Sequence, residues 1–158
     1  EKLIFKGLEN VRTDWTMLAR VFQEKLYSRI FKGEHYREFI LEQVQMVLAG
    51  EVDEQLVYRK RLRRHLQDYQ TNVPPHAQAA KKLFEAGGEE LGQGSWVSYL
   101  LTVNGPEPKQ WQDENKLSPL DYGLYVERQL KPIADSILAV TDDSFDDIAA
   151  SQLSLFAQ

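Results

Sequence analysis

The chain has 158 residues, of which 42% are hydrophobic and 27% charged, with no cysteine and a formal net charge of −5 at pH 7. This excludes a disulfide framework, a thiol nucleophile and a cysteine metal site. No apolar run reaches the length of a membrane span, and the size suits one domain, or one domain with a tail. The charge is segregated. Leu56 to Lys82 holds seven Lys/Arg against one Asp, a local charge of about +6, whereas Glu107 to Gln158 holds ten acidic and four basic residues, about −6. A basic middle and an acidic end predict one surface that faces a polyanion and another that faces elsewhere.

The first residues, EKLIF, carry no initiator Met and no signal-peptide layout, which predicts a piece of a longer chain. Leu3 to Phe5 read as the end of a strand, with a turn at Lys6-Gly7. From about Thr13, Trp15, Leu18, Phe22, Leu26 and Ile30 continue a stripe begun at Val11, which predicts a helix capped by Thr13 or Asp14 and ended at Gly33. A second helix, from about Glu34 to Ala49, should bury Tyr36, Phe39, Ile40, Val44, Val47 and Leu48. The link of a residue or two predicts an antiparallel hairpin.

Leu56-Val57-Tyr58 and Leu62 fit a short strand carrying the basic residues, or equally a helix from Asp53. Pro74-Pro75 open a helix that closes at Gly87-Gly88. Ser95 to Val103 reads as a strand and Asn104-Gly105-Pro106 as a turn. Glu107 to Lys116 reads as a loop anchored by Trp111. A helical pattern from about Pro119 to Ala139 must kink or split at Pro132. Asp142 to Ala150 is a short acidic helix or a disordered lead to the tail. The expected class is α+β, a mainly helical domain with a small antiparallel sheet from the Leu56 and Trp96 regions.

No catalytic constellation emerges. His35, His65 and His76 lie apart in different contexts, and no phosphate loop, dinucleotide fingerprint or nucleophile elbow is present. Asp142, Asp143, Asp146 and Asp147 read as a solvated helix face rather than a metal site. Two stretches remain. Arg59, Lys60, Arg61, Arg63 and Arg64 fall within six positions, a density suited to phosphates, since each contact releases condensed counterions. At the other end, Gln152-Leu153-Ser154-Leu155-Phe156 places large apolar residues in a polar terminus. This string resembles the Q-L-x-L-F peptide with which bacterial polymerases and repair proteins bind the sliding clamp. That resemblance implies that Leu155 and Phe156 fill an apolar subsite, assisted by Leu153, with Gln152 hydrogen-bonding nearby.

The N-terminal string Lys6-Gly7-Leu8-Glu9, Val11-Arg12, Asp14-Trp15 resembles the K-G-L-E-x-V-R-x-D-W segment of family B DNA polymerases, where the palm hands over to the thumb. Thr13 stands where many members carry a second Arg. LVYRKRLRRHLQDY followed by PPHAQAAKKL resembles the family's thumb pattern, and GSWVSYLLTVNGPEP the G-x-x-[IV]-x-Y-x-[IV]-x-x-G element after it. The matches come in the family's order and cover nearly the whole chain; with the tail, bacterial members are the nearest.

The resemblance implies a thumb domain over residues 1–140, with 1–8 at the palm junction, then an acidic spacer and clamp-binding tail over 141–158. It implies DNA contacts by Arg59, Lys60, Arg61, Arg63 and Arg64, by Tyr69 and His76 near the duplex, and by Lys6 and Arg12 at the junction. It further implies partners in primer–template duplex, the sliding clamp and the remaining polymerase chain, and a place in the bacterial cytoplasm at the nucleoid. Mg2+ and the catalytic carboxylates belong to the palm, so no cofactor and no nucleotide incorporation are expected of this chain alone. The rival readings are a free-standing DNA- or clamp-binding adaptor and a helical interaction protein whose basic run is merely solvated.

Overall fold

A computed structural model describes residues 15–156, with side chains through residue 150. In chain order the elements are α1 (Met17–Phe31), α2 (Arg37–Leu48), β1 (Tyr58–Arg61), α3 (Pro75–Glu85), β2 (Trp96–Thr102), β3 (Gly105–Pro108), α4 (Gln110–Asp113), α5 (Tyr122–Tyr125), a π-helical turn (Val126–Leu130), α6 (Lys131–Leu138) and α7 (Phe145–Phe156). The class is α+β, as expected. The chain forms two compact units, one of Glu1–Gln55 with Tyr122–Gln158 and one of Leu56–Asp121. Among the described residues no helix is long and apolar enough to cross a membrane.

The first unit is helical. In α1, Leu18, Phe22 and Leu26 are buried, and α1 packs against α6 and the π-helical turn. Ile133, Ile137 and Leu138 of α6 are buried in turn, as is Ile148 of α7. Each such side chain contributes roughly 1.5–3 kcal/mol by leaving water. Phe22 stacks on Phe39 of α2, with centroids 5.9 Å apart.

The start of α1 differs from expectation. The helix begins at Met17, capped by Thr16, whose Oγ1 accepts the Ala19 N–H; Thr13, Asp14 and the predicted N-terminal strand lie outside the described residues. Gln129 completes the cap: its Oε1 accepts both the Thr16 N–H at 2.9 Å and the Thr16 hydroxyl at 2.8 Å. All of these groups are buried, so the bonds answer donors that water cannot reach.

Gln129 sits in the π-helical turn, which accounts for the predicted break at Pro132. Proline has no N–H to give and crowds the carbonyl four residues back. The turn widens ahead of it, with the Lys131 N–H bonding to the Val126 carbonyl. Two other expectations need correction. The link between α1 and α2 runs from Lys32 to Tyr36 rather than a residue or two, and Leu48 is exposed. Leu48 closes the helix at the rim of the apolar face, just before Gly50. Gly50 has φ +74°, and a Cβ there would meet the Tyr122 hydroxyl at 2.9 Å, so the turn requires glycine.

The approach to α7 is tied by polar groups. Asp143 accepts from the Tyr36 hydroxyl at 2.5 Å and pairs with Arg37, and Asp135 accepts the Phe145 N–H at 2.8 Å. The Tyr36 bond holds the Asp143 carboxyl below its usual range. α7 then runs as a helix through Gln152 to Phe156, where a tail after a short acidic helix was expected.

The second unit is a three-stranded antiparallel sheet, ordered β1-β2-β3, with α3 packed on it. Tyr58 opposes Tyr99 and Arg61 opposes Trp96; on the other side Leu101 opposes Pro106 and Thr102 opposes Gly105. Pairing with β2 settles the strand-or-helix ambiguity of the basic stretch in favour of the strand. β3 was read as turn and loop because Pro106 and Pro108 argue against a strand. At a sheet edge their missing N–H groups face no neighbour, and the strand forms. Ala77 and Ala80 of α3 are fully buried, small enough for the helix to lie close to the sheet.

His76 of α3 is buried edge-on against Tyr69, with centroids 6.1 Å apart, and its Nδ1 has no hydrogen-bond partner among the described residues. Burial lowers its pKa from the ordinary 6.5, and the Lys60 charge adds to the effect.

Two predictions follow from these packed polar groups. Gln129→Leu keeps the volume but strands both Thr16 donors, so urea unfolding should show a loss of about 1–3 kcal/mol; an unchanged midpoint would contradict the cap. Because the folded-state pKa of His76 is depressed, the unfolded chain binds the proton more readily, and stability falls as pH drops below about 6.5. In His76→Gln, the loss of stability between about pH 7.5 and about pH 5.5 should be smaller than in the parent.

Candidate nucleic-acid interface

A strand turns successive side chains to opposite faces, and β1 divides its cations accordingly. Tyr58 and Lys60 take one face, where Tyr58 stacks on Tyr99 at 5.0 Å and the Lys60 charge bears on His76 of α3. Arg59 and Arg61 take the other face, and both are exposed. There they meet Trp96, the first residue of β2, which is 50% exposed despite its size. The Arg59 guanidinium lies 4.1 Å from the Trp96 ring centroid and that of Arg61 5.6 Å. Toward β3 the same face is closed, with Leu100, Thr102 and Glu107 all buried. The open part of the sheet is therefore its basic corner.

Arg61 is held a second time. Its Nε donates to the Gly94 carbonyl at 3.1 Å. Gly94 has φ +89°, a conformation that strains any other residue, and it lets the loop before β2 turn its carbonyl to the arginine. Gln93 of the same loop donates to the Arg63 carbonyl at 3.0 Å. Arg61, Leu62, Arg63, Gln93 and Gly94 line a groove of ≈ 380 Å³.

Beyond β1 the chain turns through Arg63 and Arg64, both exposed. The Tyr69 hydroxyl accepts the Arg63 N–H at 3.1 Å, and the Arg64 guanidinium lies 4.9 Å from the Tyr69 ring centroid. Lys81 donates to the Tyr69 carbonyl, and Lys82 to the Asn104 carbonyl at 2.7 Å. These two lysines thus tie α3 to neighbouring segments. Among the described residues, none of Arg59, Lys60, Arg61, Arg63 or Arg64 forms an ion pair with a carboxylate. Arg59, Arg61, Arg63 and Arg64 are thus exposed cations with no carboxylate partner among the described residues, some resting on aromatic rings.

The site residues expected from sequence are placed unevenly. The five basic residues sit together on and just after β1. Tyr69 and His76 lie beneath them, each 4% exposed, where they support the chain that carries the arginines. Lys6 and Arg12 lie outside the described residues. Gln152, Leu153, Leu155 and Phe156 lie on the α7 backbone, with side chains outside the described residues. The sequence reading missed Trp96, Gly94 and Gln93. The register that sets Arg61 opposite Trp96 is the signal for the ring, and Gly94, which opens the G-x-x-[IV] element, is the signal for the loop before it.

The family resemblance implies magnesium, and the donor set here does not fit it. Among the described residues no group of three His, Asp or Glu could hold a metal ion, whereas two-metal phosphoryl transfer needs carboxylates that hold both ions.

The profile of DNA polymerase family B matches residues 1–140. DNA polymerase II of Escherichia coli (strain K12) is 47% identical over 162 residues, covering 99% of this chain and 20% of the relative. A DNA polymerase of Pyrococcus glycovorans is 30% identical over 146 residues, covering 87% of this chain and 19% of the relative. The solved family B DNA polymerase of the hyperthermophilic archaeon Pyrobaculum calidifontis shares the fold, with a TM-score of 0.66 at 24% identity over 82% of this chain and 18% of that one. The chain spans about a fifth of the length of these two relatives. On the extent of the family match and the identity to its bacterial relative, the chain belongs to DNA polymerase family B.

Proposed function

We propose that this chain is the C-terminal thumb part of a DNA-directed DNA polymerase and grips primer–template duplex through phosphate contacts. The observation that carries the reading is the open corner of the sheet, where Arg59, Arg61, Arg63 and Arg64 are exposed and, among the described residues, unpaired with carboxylates. Phosphate contacts position a duplex without reading its sequence. A polymerase that must hold any sequence and move along it needs contacts of that kind. Lys60 adds charge from the opposite face of β1, and Tyr69 and His76 act through the arginine-bearing chain above them. Lys6 and Arg12 stand at the junction with the palm, which supplies the catalytic carboxylates and Mg2+.

The QLSLF string gives the same polymerase a tether. In this reading Gln152, Leu153, Leu155 and Phe156 bind the bacterial sliding clamp, and the parent enzyme carries out repair or lesion-bypass synthesis in the cytoplasm. Family membership supports this reading over a free-standing adaptor. A purely solvated basic edge, whose charge only blocks strand-to-strand aggregation, is the remaining rival.

Salt dependence separates grip from bystander. Log-log plots of duplex affinity against salt should slope by about −0.9 per phosphate neutralised. Arg59→Ala/Arg61→Ala should flatten the slope by roughly 1.8, equally on unrelated duplex sequences. A slope unaltered in that variant contradicts the assignment of the site. For the tether, a Leu155→Ala/Phe156→Ala chain should lose binding to purified bacterial sliding clamp while keeping its duplex affinity; equal clamp binding by both chains removes the tether from the account.

A further inference from the structure

We infer that Trp96 is a positioning residue that lays out Arg59 and Arg61 as a pre-ordered pair of phosphate ligands. The inference rests on the phosphate reading above and deepens it. A guanidinium is flat, and its N–H donors radiate in its own plane. A carboxylate that orders an arginine would use those donors and cancel the charge. An indole ring attracts the cation through its π-face and takes neither.

The structure has the second arrangement. Arg59 and Arg61 both meet Trp96, and both lack a carboxylate partner among the described residues. Among the described residues Arg61 spends only its Nε–H, on the Gly94 carbonyl, so its terminal nitrogens stay available there. The register explains how one ring serves two cations. Arg61 lies directly across from Trp96 and Arg59 diagonally across, on the same face of the sheet. The half-exposed ring costs apolar surface left in water. Covering part of that surface with two guanidinium groups offsets some of the cost and restricts both side chains. An arginine already restricted gives up less rotamer freedom when a phosphate arrives.

The test compares Trp96→Ala, Trp96→Phe, Arg59→Ala/Arg61→Ala and the triple variant, each in the whole chain, with duplex DNA over a salt series. Trp96→Ala should bind about 3- to 10-fold more weakly with an unchanged salt slope, since every cation remains. Trp96→Phe should recover part of the loss. In the Arg59→Ala/Arg61→Ala background, Trp96→Ala should change nothing further. Full affinity in Trp96→Ala overturns the inference, as does a loss that persists without the two arginines, which would make Trp96 a contact in its own right.

A measurement without DNA keeps this distinct from failure of the phosphate reading. The NMR order parameter of the Arg59 side-chain Nε–H should fall in Trp96→Ala relative to the parent; an unchanged value overturns the positioning role. If instead the order falls but no chain binds duplex with a salt slope, the ring orders the arginines and the phosphate reading is what fails.

Discussion

The stacking of Tyr58 on Tyr99 is the constraint on which the basic corner depends. β1 is four residues long and reads Tyr-Arg-Lys-Arg. Once Tyr58 is buried against β2, the two-residue period of a strand leaves no choice for the rest. Arg59 and Arg61 must take the open face and Lys60 the face toward α3. Shifting the register by one residue would expose the tyrosine and drive two arginines under the helix, at a cost far above what the strand's own pairing provides. A small aromatic contact in the core thereby sets the direction of charges on the surface. The buried Leu56, Leu62 and Leu66 hold the ends of the same stretch, so the charged positions vary within a frame that the apolar ones maintain.

The helical unit solves a different problem with comparable means. Its apolar stripes bury readily, but two backbone ends need polar answers: the first turn of α1 and the entry to α7. Gln129 answers the first from inside a π-helical turn, and Asp135 answers the second by accepting the Phe145 N–H. The π-helical turn is itself a consequence of Pro132. A residue that breaks regular α-helix thus produces the local widening in which Gln129 faces Thr16. The contact between Arg37 and Asp143 is partly exposed and contributes little by itself, about 0–1 kcal/mol; the hydroxyl of Tyr36 on the same carboxylate gives the joint its geometry.

Much of this was legible in the sequence, and the gaps have physical causes. Apolar spacing located α1 and α2 within a few residues, since burial of one face is what makes those segments helical, and Pro74-Pro75 with Gly87-Gly88 bounded α3. The charge run located the basic corner because nothing else in an acidic chain has its density. Periodicity left strand and helix open for that run, because four residues are too short to show a period and only the partner strand decides. β3 was invisible because its prolines are admissible at a sheet edge and nowhere else in a sheet, and edge position is a tertiary fact. Trp96 read as one more aromatic strand residue. Its importance lies in which arginines it faces, and register is not written in composition. The caps failed similarly: Thr13, Asp14 and Thr16 are all competent cap residues, and the choice fell to Thr16, where Gln129 arrives from 113 residues away.

The central claim is that the arginines on and after β1, and not those of the described helical segments, meet the polyanion. Arginine side-chain 1H–15N spectra recorded while duplex DNA is added test it most directly, because each Nε–H reports its own surroundings. The account predicts that the Nε–H signals of Arg59, Arg61, Arg63 and Arg64 move together and saturate at one DNA concentration, while those of Arg20, Arg29, Arg37 and Arg128 stay in place. Movement confined to the second set, with the first unchanged, would contradict it.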